Sequence, residues 1–525
     1  MLDTFRAFAK NVTATSSAVF GFLISDPRQF AEKLNERLRV DGIPLSLGSG
    51  CPLRSKNVEE DWERSLRLGD YPRALELIGR SERLSSKQIK RTRKRLLEQM
   101  ELLRMRPQKS VNNRVNSRPV RAIYFLNNCL PYTQSGYTLR TQAILSTLMR
   151  QRSDWTVFPV TRLGYPIVIG RLPFKHKWKV EGVVYETLIP FIYPRSLQSR
   201  FEHSVEMLVR KARKKNVGLL VTTTGDINSL IVSEAAARLG IPWVYEMRGE
   251  PHLTWASRLD GSDQERAKDS FYFSNLKERD FRAAEAASAV IVLSEVSKNV
   301  LIERGIAKNR IVVARNATSS PGDINRSDVQ ELKKKLGLPD GPLIGSVSSL
   351  VGYEGFDDLI RSIRYMPDQV SLLLVGEGAA RPELEDLVGR ERLNERVIFA
   401  GRKASDEIDD WYRVLNVFVL PRKNLDVCRR VTPIKALRAQ SLGIPVVASD
   451  LPALREITGN TAIYCEPENP RAIAGGVALA MDDPEPTAIA GREWAALNSW
   501  ENSVAQFEAA LSKAIKKCSA EPFAN

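Results

Sequence analysis

The sequence predicts an α/β protein of two doubly wound, Rossmann-like domains behind an N-terminal helical extension. Its 525 residues and 58.9 kDa exceed what one hydrophobic core ordinarily supports, and 43% apolar content is enough to fill two. From Arg118 onward, short apolar runs alternate with stretches of helical periodicity, the pattern of a covered parallel sheet. The alternation pauses at a breaker-rich link over 315–323 and then resumes, so two sheets are expected.

Residues 1–117 read as mainly helical and basic. A capping Asp26 followed by Pro27 precedes helix formers, and an apolar patch lies at 19–24. That patch suits burial against the next domain or docking at a membrane interface. Trp62, Leu66, Leu75 and Leu77 predict a helical hairpin broken at 69–72. In the first sheet, strands are predicted at 120–126, 156–160, 218–222, 243–247 and 289–293, with helices at 137–148 and 228–239. In the second, strands are predicted at 343–347, 370–375, 397–399, 417–420 and 445–449. Helices fit at 355–363, 381–388, 408–415 and 433–441, and a helical tail at 493–514.

Several function classes are disfavoured at this level. No run of 18 apolar residues free of charge is present, so a membrane-spanning helix is not expected, and residues 1–23 lack a persuasive secretory cleavage site. The cysteines at 51, 129, 428, 465 and 518 have no metal-ligand spacing, so no metal site is expected and a reducing cytoplasm is the expected compartment. Neither a dinucleotide glycine signature nor a P-loop lysine arrangement occurs. A formal charge of +16 favours an anionic partner. Residues 87–118 hold eleven Lys or Arg against two Glu, which suits an anionic membrane or a solvated helix face. Nucleic acid is disfavoured because no aromatic residues interleave the charges.

Nine short pieces then recur in a characteristic order. They are LPYTQSGYTLRT at 130–141, TRLGYP at 161–166, VYEMRG at 244–249, LSEV at 293–296 and NA at 316–317. SLVGYEG at 349–355, VGEG at 375–378, FAGR at 399–402 and VTP at 431–433 follow. In this order they resemble family-4 glycosyltransferases of the GT-B fold, especially bacterial enzymes that build envelope or capsular glycans, over roughly residues 118–515. The resemblance implies an acceptor-side domain at 118–318 and a nucleotide-sugar-binding domain at 319–484. Residues 485–525 would then form a C-terminal helix returning to the first domain, with a tail. A ligand cleft would lie at the carboxyl ends of the strands.

Candidate residues follow from chemistry and resemblance together. Gly136, between a strand and a helix start, allows either a turn or the approach of a phosphate to free N–H groups, and Ser135 and Tyr137 flank it. Relatives often carry histidine shortly afterwards, where this chain has Gln142. Asp226, Glu246 and Arg248 end predicted strands, a cleft-facing place, although Glu246 and Arg248 equally suit a mutual surface network. Gly401 and Arg402 resemble the family's base pocket. Arg422, Thr432 and Lys435 combine a guanidinium, a hydroxyl and an ammonium at a helix start, a set suited to a diphosphate and also to capping a helix.

The same segment departs from the family pattern. Many relatives hold the donor sugar and ribose with two glutamates eight positions apart, where this chain has Arg430 and Arg438; a related pattern puts a glutamate at Arg429. Arginine accepts no hydrogen bond from a sugar hydroxyl. These arginines suit either an acidic ligand or a structural network with Glu407, Asp426 and Glu456. A phosphate-binding Arg and Lys of many relatives give way to Ser349 and Glu354. Two functions therefore follow from the resemblance. One is retaining transfer of a sugar from a nucleoside-diphosphate sugar to a glycan or lipid-linked glycan at the cytoplasmic face of the membrane, with no cofactor beyond the donor. The other is a catalytically silent binding or scaffold protein on the same fold.

Overall fold

A computed structural model describes residues 59–111, 120–151, 154–171, 175–225, 227–259, 261–318, 329–404 and 407–516, together with 12, 13 and 16. The expected helix start at 26, the apolar patch at 19–24, Cys51 and Cys518 lie outside the described residues. The chain forms two compact units. The first comprises Met1–Glu246, Leu259–Ala289 and Lys513–Asn525, and the second Met247–Arg258 and Val290–Ser512.

The extension begins with the expected helical hairpin, Asp61–Arg67 and Tyr71–Leu77. Gly69 turns the chain with φ +81, and the Asp70 carboxylate accepts the Arg73 N–H at 3.1 Å, which caps the second helix. A longer helix, Ser86–Arg104, starts with a Ser85 and Gln88 capping box. Its Leu96 and Met100 pack with Ala74 and Phe271, while Lys87, Lys90, Arg91 and Lys94 are exposed. The basic residues at 87–94 thus lie on the outer face of an amphipathic helix.

The first sheet contains β1 Val120–Leu126, β2 Trp155–Leu163, β3 Lys177–Val180, β4 Val183–Leu188, β5 Leu219–Thr223, β6 Trp243–Met247, β7 Ala289–Val292 and β8 Ile311–Val313, in the order β3-β4-β2-β1-β5-β6-β7-β8. β1 runs parallel to both β2 and β5, and every β1 residue except Arg121 is buried, as a sheet covered on both faces requires. β3 and β4 form an antiparallel hairpin whose turn, Glu181 and Gly182, has φ of +46 and +89. The helix Gly136–Arg150 follows β1, and Leu197–Lys214 lays Phe201, Val205, Leu208 and Ala212 inward.

The second sheet contains β9 Leu343–Val347, β10 Ser371–Val375, β11 Val397–Gly401, β12 Val417–Leu420, β13 Val446–Ser449 and β14 Ile463–Cys465, in the order β11-β10-β9-β12-β13-β14. All its pairings are parallel. Ile344, Leu374, Val419 and Val447 pack with Leu359, Ile360 and Val477 in one core. The order reverses beside β9, and the loop after that strand becomes central to the site below.

Sequence periodicity located ten of these strands but not β3, β4, β8 and β14, each six residues or shorter. It also missed the Leu197–Lys214 helix, whose apolar stripe is narrow among many charges. The predicted tail at 493–514 is two helices, Pro484–Leu497 and Trp500–Lys516, because Asn498 leaves helical geometry with ψ +55. Among the described residues no helix is long and apolar enough to cross a membrane. Cys129, Cys428 and Cys465 are buried free thiols.

Candidate functional site

The loop that leaves β9 is pressed against two neighbouring strand ends. Gly376 follows β10 with φ +143, and a side chain there would strike the Ser348 carbonyl. Gly355, with φ +74, has the same relation to the Pro421 carbonyl after β12. Only glycine meets both demands, and the close approach delivers Glu354 beneath the end of β12.

Glu354 is buried and ionised. Its carboxylate accepts from Arg422 Nε at 3.2 Å and Nη2 at 2.9 Å, a bidentate contact, and from Lys435 Nζ at 2.6 Å. Lys435 also donates to Ser348 Oγ, and Arg422 Nη1 donates to the Val431 carbonyl at 2.9 Å. Burial pushes the Glu354 carboxyl up, but the two cations more than reverse this and hold it at about 2. For Lys435 burial dominates: the ammonium comes down to about 8 despite Glu354. Arg422 is disfavoured by burial, yet Glu354 raises it and keeps it protonated. Two cations around one carboxylate leave a single surplus positive charge in a nearly dry place.

Thr432 adds an unsatisfied group beside them. Its side-chain hydroxyl is buried with no hydrogen-bond partner, while its carbonyl accepts from Asn316 Nδ2 at 3.0 Å. It precedes Pro433 and the helix Ile434–Ser441, whose N-cap offers no side-chain bond to the first-turn N–H groups. A narrow recess there, with about 10 Å³ open to water, is lined by Thr432, Arg430, Arg248, Glu250 and Ser297 among others. Of the predicted trio, Arg422 and Lys435 meet on Glu354, which in the sequence stands out only as a departure from the family pattern, and Thr432 follows Val431, whose carbonyl Arg422 contacts. The companion residue in contact is Ser348 rather than Ser349.

The three substituted arginines meet protein groups. Arg430 Nη1 lies 3.1 Å from Glu250, which is also 3.3 Å from His252 Nε2. Burial raises the Glu250 carboxyl, and His252 and Arg430 together bring it below its ordinary value. Arg438 Nε donates to Asp409 at 2.8 Å, and Arg429 Nη1 to Asn424 Oδ1 at 2.8 Å. Glu250, Asp409 and Asn424 thus engage these arginines. Glu456 accepts the Glu295 and Val296 N–H groups at 2.6 and 3.0 Å. Gly401 has φ +71 and its carbonyl accepts from Gly376 N at 2.9 Å. Arg402 is exposed with no side-chain hydrogen bond or ion pair among the described residues.

In the first unit, Ser135 caps the Gly136–Arg150 helix, accepting from Thr138 N at 3.4 Å. Gly136 has an ordinary negative φ, and a side chain there would meet nothing within 4 Å, so turn geometry does not require glycine. Tyr137 beside it is half exposed. Gln142 serves the structure: it donates to the Val180 carbonyl at 3.0 Å and accepts from Tyr185 Oη at 2.7 Å, which pins the β3–β4 hairpin. Glu246 is fully buried and held by Arg140 Nε at 2.9 Å and by the Tyr124 hydroxyl. Arg248 lines the recess of the second unit, and Asp226 lies outside the described residues. Among the described residues, no group of three or more His, Cys, Asp or Glu is arranged to hold a metal.

Two Rossmann-like sheets of this topology form the GT-B fold. Sucrose-phosphate synthase from Thermosynechococcus elongatus superposes with a TM-score of 0.59 at 20% identity, over 76% of this chain and 100% of that one. HepE from Anabaena, solved with UDP and glucose, does so with a TM-score of 0.57 at 19% identity, over 74% of this chain and 99% of that one. Residues 341–483 match the family model described as glycosyl transferases group 1, and the chain is related to that group. It is 27% identical over 243 residues to a 2-deoxystreptamine glucosyltransferase of Streptomyces kanamyceticus, covering 45% of this chain and 60% of that protein. It is 31% identical over 144 residues to the lipopolysaccharide core biosynthesis mannosyltransferase LpsB of Rhizobium meliloti, covering 26% of this chain and 39% of that protein. These matches span under two thirds of the relatives' own lengths.

Proposed function

We propose that this chain transfers a sugar, with retention, from a nucleoside-diphosphate sugar to a glycan or lipid-linked glycan acceptor during cell-envelope polysaccharide synthesis. The observation that carries the reading is the surplus positive charge of Arg422 and Lys435 around Glu354, beside the unpartnered Thr432 hydroxyl and an uncapped helix start. A diphosphate fits this set: it accepts from the hydroxyl and the helix N–H groups and takes the cation that Glu354 does not need. As the bond from sugar to phosphate breaks, the same groups stabilise the departing diphosphate. The acceptor hydroxyl attacks on the face that phosphate leaves and passes its proton to a phosphate oxygen. Gly401 and Arg402 would border the base, and Ser135, Gly136 and Tyr137, on the acceptor-side domain, the reacting sugars. Residues 118–318 would carry the acceptor and 319–484 the donor, at the inner face of the membrane. Nucleotide release from a panel of nucleotide sugars, dependent on an added glycan, tests the proposal.

A second reading has its own observation. Arg430 and Arg438 rest on Glu250 and Asp409, where the resembled family offers carboxylates to the donor. In the transfer reading, Glu250 and Asp409 supply the missing acceptor oxygens, each brought by its arginine. In the silent reading, both pairs are structural and the cradle binds a nucleotide without turnover. Binding of a nucleoside diphosphate with no glycan-dependent release would establish the silent reading.

A further inference from the structure

The first unit carries a second cationic site that the transfer reading does not use. A cavity of about 940 Å³ opens between the end of the Leu197–Lys214 helix, the β3–β4 hairpin and the segment that leaves β4. Arg121, Lys177, Arg210, Lys211, Lys214 and Lys215 all line it, against one lining carboxylate, Glu186. Glu186 is buried and engages Lys177, Lys211 and Lys215 at 3.2, 2.6 and 2.7 Å. Burial raises its carboxyl, but Lys211 and Lys215 pull it down to about 2, so this charge stays fixed on the wall. Arg121 and Lys215 lie over the Phe158 ring, at 5.6 and 4.0 Å from its centroid. Arg210 has only a solvent-exposed partner, Glu206 at 3.8 Å, and exposed Lys214 makes no ion pair among the described residues.

The rim of this cavity is apolar. Phe191 and Ile192, between Pro190 and Pro194, are each 64% exposed and form the only adjacent pair among the exposed large hydrophobic residues described. A soluble phosphate would account for the lysines but leave two large side chains in water without purpose. A basic pocket edged by an exposed aromatic and an exposed aliphatic side chain matches the two layers of an anionic bilayer surface, phosphates above and acyl chains below.

We propose that this cavity docks the chain on an anionic membrane, with a phospholipid phosphate among Arg210, Lys211 and Lys214 and with Phe191 and Ile192 entering the acyl boundary. The site is distinct from the basic helix face at 87–104, and it does not rest on the reading of the donor cluster.

The test is co-flotation of the full chain with vesicles of phosphatidylcholine alone or mixed with phosphatidylglycerol. The chain is expected to float only with phosphatidylglycerol. Arg210→Glu with Lys214→Glu should weaken binding at least about tenfold, since each cation near such a surface is worth roughly fivefold. Phe191→Ser with Ile192→Ser should weaken it by about tenfold through lost apolar burial. All four positions are exposed, so folding is preserved, which circular dichroism checks. Lys435→Met should bind vesicles like the parent, which separates this site from the donor reading. Unchanged flotation of both double variants would overturn the proposal. So would glycerol phosphate binding that is insensitive to the Phe191 and Ile192 changes, which would assign a soluble anion. Equal binding to phosphatidylcholine, or tighter binding to an oligonucleotide than to the anionic vesicles, would also overturn it.

Discussion

Glu354 and Glu186 are two buried carboxylates set among cations, one in each unit, and both are held at about 2. Their surroundings differ. Arg422 and Lys435 are themselves nearly dry, with side chains 8% and 12% exposed, and each is fixed by a further contact. Around Glu186 the lysines are more open to water, with Lys215, Lys211 and Lys177 18%, 21% and 61% exposed. The same depressed acidity therefore arises in two ways. At Glu354, few charges interact strongly because water is excluded, whereas at Glu186 several lysines form a field that solvent shares. The first arrangement suits one ligand in one pose and the second suits a surface.

The largest expected effect that tests this contrast is on stability. Glu354→Gln should cost about 3 to 5 kcal/mol, because it strands two buried cations. Glu186→Gln should cost about 1 kcal/mol or less, because its lysines turn to water. Urea unfolding followed by hydrogen exchange in β9, β10 and β12, or in β2 and β4, reads each unit separately; equal losses would erase the distinction. Next, Lys435→Met should reduce affinity for nucleoside diphosphates by about tenfold to a hundredfold, the worth of a charge-assisted bond, and Lys215→Met should leave it unchanged. Calorimetric titration decides.

Acidity sharpens the comparison further. Glu354 and Glu186 have folded values near 2, below the 4.5 of an unperturbed glutamate, so each adds stability that is complete above about 4.5. That stability disappears as pH falls from 4.5 towards 2. Lys435 runs the other way: its value near 8, below the ordinary 10.5, makes it a cost to folding below pH 8 that is relieved between 8 and 10.5. Diphosphate binding should therefore decline as pH rises through about 8, although Lys435's own contribution to stability improves. Binding that stays flat from pH 7 to 9 would remove Lys435 from the cradle. The smallest effect belongs to Arg438 and Asp409, 24% and 29% exposed, whose double-mutant cycle should give about 0.5 to 1 kcal/mol.

Much of the fold was readable because covered parallel strands are continuous apolar runs, and 243–247, 343–347 and 417–420 needed no revision. That Arg422, Thr432 and Lys435 stand near the start of the 434–441 helix was readable because residue type and spacing are local facts. Glu354 was harder to read: its partners lie 68 and 81 residues away, and nothing in the local pattern encodes that a carboxylate will be the hub of a cationic site. Glu250 escaped for the same reason, 180 residues from Arg430. Glu186 sits in β4, a short strand that periodicity missed, and Lys211 sits on the Leu197–Lys214 helix, which it missed as well. The β3–β4 turn had offered a legible signal, since Glu181 and Gly182 stand between alternating residues where a two-residue hairpin needs them.

Lys435 also has a consequence for chemical labelling. An amine that titrates at about 8 is already partly a nucleophile at neutral pH, whereas ordinary lysines remain almost wholly ammonium. The extent of mild acylation, mapped by peptide mass, should therefore be more pH-sensitive at Lys435 than at exposed lysines between pH 7 and 9, and protection by a nucleoside diphosphate would turn Lys435 into an occupancy gauge for the cradle in the intact protein.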